Sequence, residues 1–174
     1  MKNVHVFTVA AGNYLPKARV LLASLRRHHP DWRLHFAVSD APPPADALAG
    51  LGADEIHELE SLGIPNLRRW AFSHSLIELA TAIKPFVLKK LIARDDCDMA
   101  IYLDPDIAVM SPLTDVVEAL KVSDIVLTPH LTDAENTVAG IVANEISTMQ
   151  HGIYNLGFIG VAARDEGIRF AQWW

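Results

Sequence analysis

Short, nearly unbroken apolar runs alternate along this chain with stretches whose apolar residues recur at helical spacing. Val4–Ala10 is apolar and β-branched, and Ala11-Gly12-Asn13 ends it. A run with no polar face belongs to a strand covered on both sides, as in a parallel sheet between two helical layers. From Lys17 to Arg27, Val20, Leu21, Ser24 and Leu25 keep helical spacing, and His28-His29-Pro30 stops the helix. Leu34–Val38 reads as the second strand. Ala41-Pro42-Pro43-Pro44 is too stiff for either element and marks a surface loop.

The alternation continues. A short helix is expected over Ala45–Leu51 and a strand around Glu55–Leu59. Asn66–Arg94 is the longest helical stretch, with Pro85 dividing it in two. Met99–Leu103 is a strand ending in Asp104-Pro105-Asp106, and Ile107–Met110 continues in β-type residues. Ser111-Pro112 reads as a cap and first-turn proline of a helix reaching about Leu120. Ile125–Thr128 is expected as a buried strand and Asp133–Gln150 as a loop or weak helix. A strand at Asn155–Val161 and a helix at Asp165–Trp174 follow. Met99, Met110 and Met149 are expected as core filler. His57 and His74 are expected at the surface or as satisfied core residues. The pattern predicts an α/β sandwich, Rossmann-like, with a mostly parallel sheet flanked by helices.

Composition narrows the function. The 174 residues carry 15 Lys+Arg and 21 Asp+Glu, a formal charge of −6. With only Arg26-Arg27-His28-His29 and Arg68-Arg69 as basic clusters, binding to nucleic acid through phosphate contacts is not expected. No apolar run approaches the roughly 20 residues of a membrane span. The N-terminal residues read as a buried strand, not a signal peptide. The single cysteine, Cys97, has no internal disulfide partner and lies among Asp95, Asp96 and Asp98. An inert thiol and a cytosolic setting are expected.

In open α/β sheets ligands sit beyond the carboxyl ends of the strands. The ends here are Ala10–Tyr14, Asp104–Asp106 and Thr128–Leu131, with the region of Asn155–Gly157. Asp104 and Asp106, two apart at a strand end and stiffened by Pro105, are placed to face one hard cation, Mn²⁺ or Mg²⁺. Such an ion lets a net-acidic protein hold an anionic substrate. The same carboxylates also suit a capped turn.

The segment AIYLDPDIAVMSPLTDVVEAL resembles the Asp-x-Asp region of GT-A fold glycosyltransferases, especially glycosyltransferase family 8. FTVAAGNYLPKARVLLASLRRHHP resembles that family's first strand, nucleotide-binding turn and helix. ELATAIKPFVLKKL resembles the helix before the motif strand, and GIYNLGFIGVAA resembles its Asn-x-Gly strand. The four segments keep the family's order from about Phe7 to Trp174. The resemblance implies one nucleotide-sugar-binding domain over 1–174, and metal-dependent transfer from a UDP-sugar to a saccharide or lipid-linked acceptor with retention. An acceptor of that kind extends the cytosolic expectation to the inner membrane face. It implies metal binding by Asp104 and Asp106, with Asp104 also near the ribose or donor sugar. Thr8, Ala10, Ala11, Asn13 and Tyr14 fall at the nucleotide pocket. Lys84, Asn155 and Gly157 fall near the donor sugar and phosphate. His130 is a further candidate at a strand end, or a loop histidine. Ala11-Gly12 stands where relatives often carry an acidic residue. No base and no third metal ligand are assigned, and His151 precedes the strand after which relatives supply one.

Two other classes remain open. One is a nucleotidyltransferase-like nucleotide-binding enzyme, although the first turn lacks its Gly-rich, basic loop. The other is a non-catalytic donor-binding fragment. The helix at Asp165–Trp174 ends in Trp173-Trp174 without a closing Gly, Asn or Pro. That ending leads us to expect a domain cut short of its acceptor-binding part.

Overall fold

The structure is a computed structural model that describes residues 3–174. Six strands form one sheet: β1 (Val4–Ala10), β2 (Arg33–Val38), β3 (Glu55–His57), β4 (Met99–Leu103), β5 (Ile125–Pro129) and β6 (Tyr154–Ala162). Their order is β3-β2-β1-β4-β6-β5. β1 pairs in parallel with β2 and β4, and β2 pairs in parallel with β3. β6 runs antiparallel to both β4 and β5. The predicted α/β sandwich with a mostly parallel sheet is therefore present.

The helices are α1 (Leu15–His28), α2 (Ala45–Leu48), α3 (Leu67–Phe72), α4 (Leu76–Ala82), α5 (Lys84–Ile92), α6 (Thr114–Val122), α7 (Val138–Gly140), α8 (Ile146–His151) and α9 (Asp165–Trp173). All seven residues of β1 and all five of β4 are buried. They are the central strands, so the continuous apolar runs have the expected cause. Strand alternation sends Val4, Val6 and Ala10 toward one core and Phe7 and Val9 toward the other. The first core packs Leu15, Ala18, Leu21, Leu22 and Leu25 of α1 with Leu120 of α6. The second packs Leu79 of α4, four residues of α5 and Ala171 of α9, with Trp174 against its edge. Phe7, Phe36 and Tyr102 are fully buried. Burial of side chains this size contributes about 1.5–3 kcal/mol each.

Several boundaries differ from the sequence reading for local reasons. The helical stretch over residues 66–94 forms three helices. Ser75 and Glu78 make a reciprocal capping box that starts α4 afresh. Pro85 lies in the first turn of α5, where its missing N–H costs no helical bond. Residues 107–110 do not continue as a strand. The Val109 amide donates to Ser24 Oγ at 2.9 Å, tying the segment across α1. The Leu113 amide donates to His29 Nε2 at 2.9 Å, so α6 begins at Thr114, beyond the Ser111-Pro112 start expected. β5 is a half-exposed edge strand, consistent with Pro129 inside it. Val138–His151 is helical, with a π-helical turn over Ile141–Glu145. Met99 is buried, but Met110 and Met149 are exposed, as is Val20.

Cys97 is buried, and its pKa is pushed up to about 12 by desolvation, then by the charges of Asp96 and Asp98. A buried thiol held neutral is inert. No helix among the described residues is long and apolar enough to cross a membrane.

Candidate functional site

The chain leaves β1 toward β2 on one side, then returns to place β4 on the other side of β1. This reversal splays the two connecting segments and opens a crevice at the carboxyl ends of β1 and β4. A cleft of about 700 Å³ lies there. Val9, Ala10, Ala11, Asn13 and Tyr14 form its β1 side. Tyr102, Asp104, Pro105 and Asp106 form its β4 side, and Lys84 closes it from α5. A cavity of similar size, about 730 Å³, lies beside His28, His29, Trp32 and Lys121, near the start of β1. It lacks a converging carboxylate pair, so the β1–β4 cleft is the stronger candidate.

Asp104 is the most constrained residue of the cleft. Its amide donates to the Gly157 carbonyl at 2.8 Å, which fixes the turn against β6. Its Oδ1 accepts from Lys84 Nζ at 3.2 Å and from the Tyr102 hydroxyl. Lys84 is buried despite its charge, and Nζ also donates to the Leu156 carbonyl at 3.2 Å. The same nitrogen stands 4.3 Å above the Tyr102 ring. A buried ammonium is stable only when partnered in this way. Burial raises the Tyr102 pKa, and its bond to the Asp104 carboxylate raises it further, so the phenol stays protonated. These contacts occupy Oδ1 and leave Oδ2 of Asp104 facing Gly157.

Asp106 is more open, with its side chain 55% exposed and Oδ2 3.7 Å from Lys17 Nζ. Lys17 also lies 4.5 Å from the centre of the Tyr14 ring. At the first turn, the Gly12 amide donates to both oxygens of Asp40, at 3.1 and 3.2 Å. An acidic side chain thus stands at the turn where the sequence shows only Ala11-Gly12, supplied from beyond β2.

The other expected residues divide. Because β6 is antiparallel, its beginning lies at the carboxyl ends of β1 and β4, which brings Asn155 and Gly157 beside Asp104. Asn155 is exposed, contrary to the buried amide implied by its apolar strand. Its Oδ1 accepts from the Gly157 amide at 2.8 Å. Thr8 does not line the cleft. It is fully buried on β1, and its hydroxyl has no partner among the described residues. His130 also stays outside. Its amide donates to Ile153 at 2.9 Å and its side chain is exposed.

Tyr102 lines the cleft, and Lys17 and Asp40 border it through Asp106 and the Gly12 turn; none of the three carries a site role in the sequence expectations. Tyr102 had a signal, since residues two apart on a strand share a face and Asp104 was already singled out. Asp40 had none, because its place depends on how the loop after β2 folds toward β1.

No protein-family model matches the sequence, and no curated protein matches it in sequence. Solved structures do match. The glycosyltransferase GlyE of Streptococcus pneumoniae TIGR4 superposes with a TM-score of 0.59 and 18% identity, over 99% of this chain and 37% of that one. The galactosyltransferase LgtC, solved with donor and acceptor sugar analogs, gives 0.55 and 22%, over 97% of this chain and 65% of that one. Core-mannan synthase A of Aspergillus fumigatus, in an Mn/GDP form, gives 0.54 and 11%, over 99% and 63%. The chain spans less than two thirds of each of these proteins. With its switch-point cleft and reversed sixth strand, the chain has the fold of the GT-A glycosyltransferases.

Proposed function

We propose that this chain binds a nucleotide-sugar donor for a metal-dependent glycosyltransferase that transfers the sugar to a saccharide acceptor. One observation carries the reading. The Asp104-Pro105-Asp106 turn opens into the β1–β4 cleft with Asp104 fixed by Lys84, Tyr102 and Gly157. The solved relatives support it, since LgtC was solved with donor and acceptor analogs and core-mannan synthase A with Mn and GDP.

The donor set fits Mn²⁺ or Mg²⁺. Asp104 and Asp106 supply carboxylate oxygens, and the exposure of Asp106 leaves room for water and phosphate oxygens. When bound, such an ion neutralises diphosphate charge that builds as the sugar departs. The rest falls to the protein's own residues. Asn13 and Tyr14 offer an amide and an aromatic face to the nucleoside at the β1 end. Lys84 holds Asp104 in one orientation and sets a positive charge at the cleft wall. Asn155 and Gly157 border the place proposed for the sugar. UDP is the proposed nucleotide, and retention of anomeric configuration the proposed outcome, both on the family 8 resemblance.

Calorimetry with UDP, GDP and their hexose conjugates, with and without Mn²⁺, tests the proposal. Mn²⁺-dependent binding of a nucleoside diphosphate or its sugar is expected, and Asp104→Ala or Asp106→Ala should abolish it. Tight UTP or CTP binding with pyrophosphate release would instead mark a nucleotidyltransferase. Absence of any nucleotide binding would overturn the proposal for this chain.

A further inference from the structure

A buried polar cluster lies outside the cleft, on the sheet face that carries the second core. His5 of β1, His35 of β2 and His57 of β3 form a hydrogen-bonded row across three parallel strands. His5 Nδ1 lies 2.9 Å from His35 Nε2, and His35 Nδ1 lies 3.0 Å from His57 Nε2. The rings are stacked, with centres 5.0 and 5.2 Å apart. All three histidines are at least 96% buried.

The row has a direction. His5 Nε2 lies 2.9 Å from the Asp96 carbonyl, and a carbonyl only accepts. The proton of neutral His5 is therefore on Nε2, leaving Nδ1 to accept from His35 Nε2–H. His35 Nδ1 then carries a lone pair that accepts from His57 Nε2–H on β3, so a cation entering between them requires the His57 proton to move to its Nδ1. Glu55 and His57 are two apart on β3, so they share a face, and Glu55 is in register with His35. One ligand atom from each of His35, Glu55 and His57 lies within 4.8 Å of the others. Glu55 Oε2 stands 3.9 Å from His35 Nδ1.

We propose that His35, Glu55 and His57 form a second cation site, for a tetrahedral transition metal of the zinc class. Two imidazole nitrogens and one carboxylate oxygen suit Zn²⁺ rather than the oxygen-seeking Mg²⁺. Metal–ligand bonds of about 2.1 Å in a tetrahedron place ligand atoms about 3.4 Å apart. The two imidazole nitrogens, 3.0 Å apart, part slightly, and the partly exposed Glu55 carboxylate swings in by about 1–1.5 Å at most, with water as the fourth ligand. The outer contacts already exist. His35 donates its remaining N–H to His5, as metal-bound histidines characteristically donate theirs. Arg33 and Arg94 hold the two oxygens of Glu55, at 3.2 and 3.1 Å, and Arg94 is itself paired with Asp96. These guanidinium groups orient the carboxylate and weaken its pull on a cation. The site joins β2 to β3, a three-residue edge strand, so its role is a structural cross-link.

The test uses chelator-treated protein carrying Asp104→Asn and Asp106→Asn, which removes the carboxylate pair of the cleft. Titration with Co²⁺ should give the visible absorption of four-coordinate cobalt at one equivalent, and one equivalent of Zn²⁺ should erase it. His57→Gln should lose both signals. In protein with native histidines, ¹⁵N spectra should show His35 Nδ1 and His57 Nε2 shifting on Zn²⁺ addition, while His5 stays an Nε2–H tautomer. Absence of four-coordinate cobalt absorption, or Zn²⁺ addition without a change at those two nitrogens, overturns the site. Neither readout depends on nucleotide binding, so failure here is distinct from failure of the proposed donor site.

Discussion

Asp104 and Gly157 touch closely enough that each fixes the other. The Asp104 amide donates to the Gly157 carbonyl at 2.8 Å. A Cβ on Gly157 would stand 3.1 Å from Asp104 Oδ2 and 2.9 Å from Asn155 Oδ1. Gly157→Ala therefore displaces both side chains while leaving the backbone free to keep its conformation. The expected result is a folded protein with its Mn²⁺-dependent nucleotide affinity reduced about tenfold, the lower end for disturbing a group that orients a metal ligand. Calorimetry at fixed Mn²⁺ measures it, and unchanged affinity would place the metal away from Asp104.

Tyr102 acts on the same carboxylate from below. Tyr102→Phe keeps the ring packed in the second core and under Lys84, but removes the hydroxyl that donates to Asp104 Oδ1. Thermal stability should fall by about 1 kcal/mol, the net worth of one hydrogen bond. Metal affinity should fall about tenfold, as for other groups that orient a ligand. Loss of stability with unchanged Mn²⁺ affinity would reduce Tyr102 to a core residue.

Much of this was legible in the chain, because burial on both faces writes β1 and β4 as continuous apolar runs and the site sits at their ends. Lys84 and Asp104 were both visible, but not their contact, which depends on α5 crossing the end of β4. The reversed direction of β6 left no trace, since an apolar run looks the same read up or down a sheet. Ser75 and Glu78 did carry a readable cap, overshadowed by Pro85, a stronger breaker that the fold places harmlessly in a first turn. The histidine row was hidden because His5, His35 and His57 meet only through strand register.

Helix α9 rests on β6 through Gly167. A Cβ there would come within 2.0 Å of the Ala162 carbonyl oxygen and 3.0 Å of Val161 Cγ1. The first of these is backbone and cannot turn aside. Gly167→Ala should cost about 1–3 kcal/mol through overpacking, despite the higher helix propensity of alanine. Chemical denaturation checks it, and a neutral or stabilising effect would mean that α9 docks differently.

The buried histidines give the metal-free protein a specific acid response. Burial lowers the His35 pKa to about 3, helped by the neighbouring His57 and His5. Burial also lowers His57 to about 4, with Lys90 adding to the effect, and lowers His5. His29, which accepts the Leu113 amide, is lowered by burial as well. An unfolded histidine titrates near 6.5. Above that pH both states are neutral and the groups add no pH dependence. As pH falls below about 6.5 the unfolded chain binds protons that the folded chain refuses, so stability drops. The fall continues toward the folded values near 4 and 3. Carboxylates held low in the folded state, Asp54 and Glu55 among them, steepen it below about pH 4.5. Urea denaturation in chelator at pH 7.5, 6.5, 5.5 and 4.5 should therefore show a plateau followed by a decline within the histidine range. His57→Gln should flatten the decline between pH 6.5 and 4.5 by removing one of the depressed groups. A wild-type profile flat through that interval would mean that the three rings are not buried as neutral tautomers.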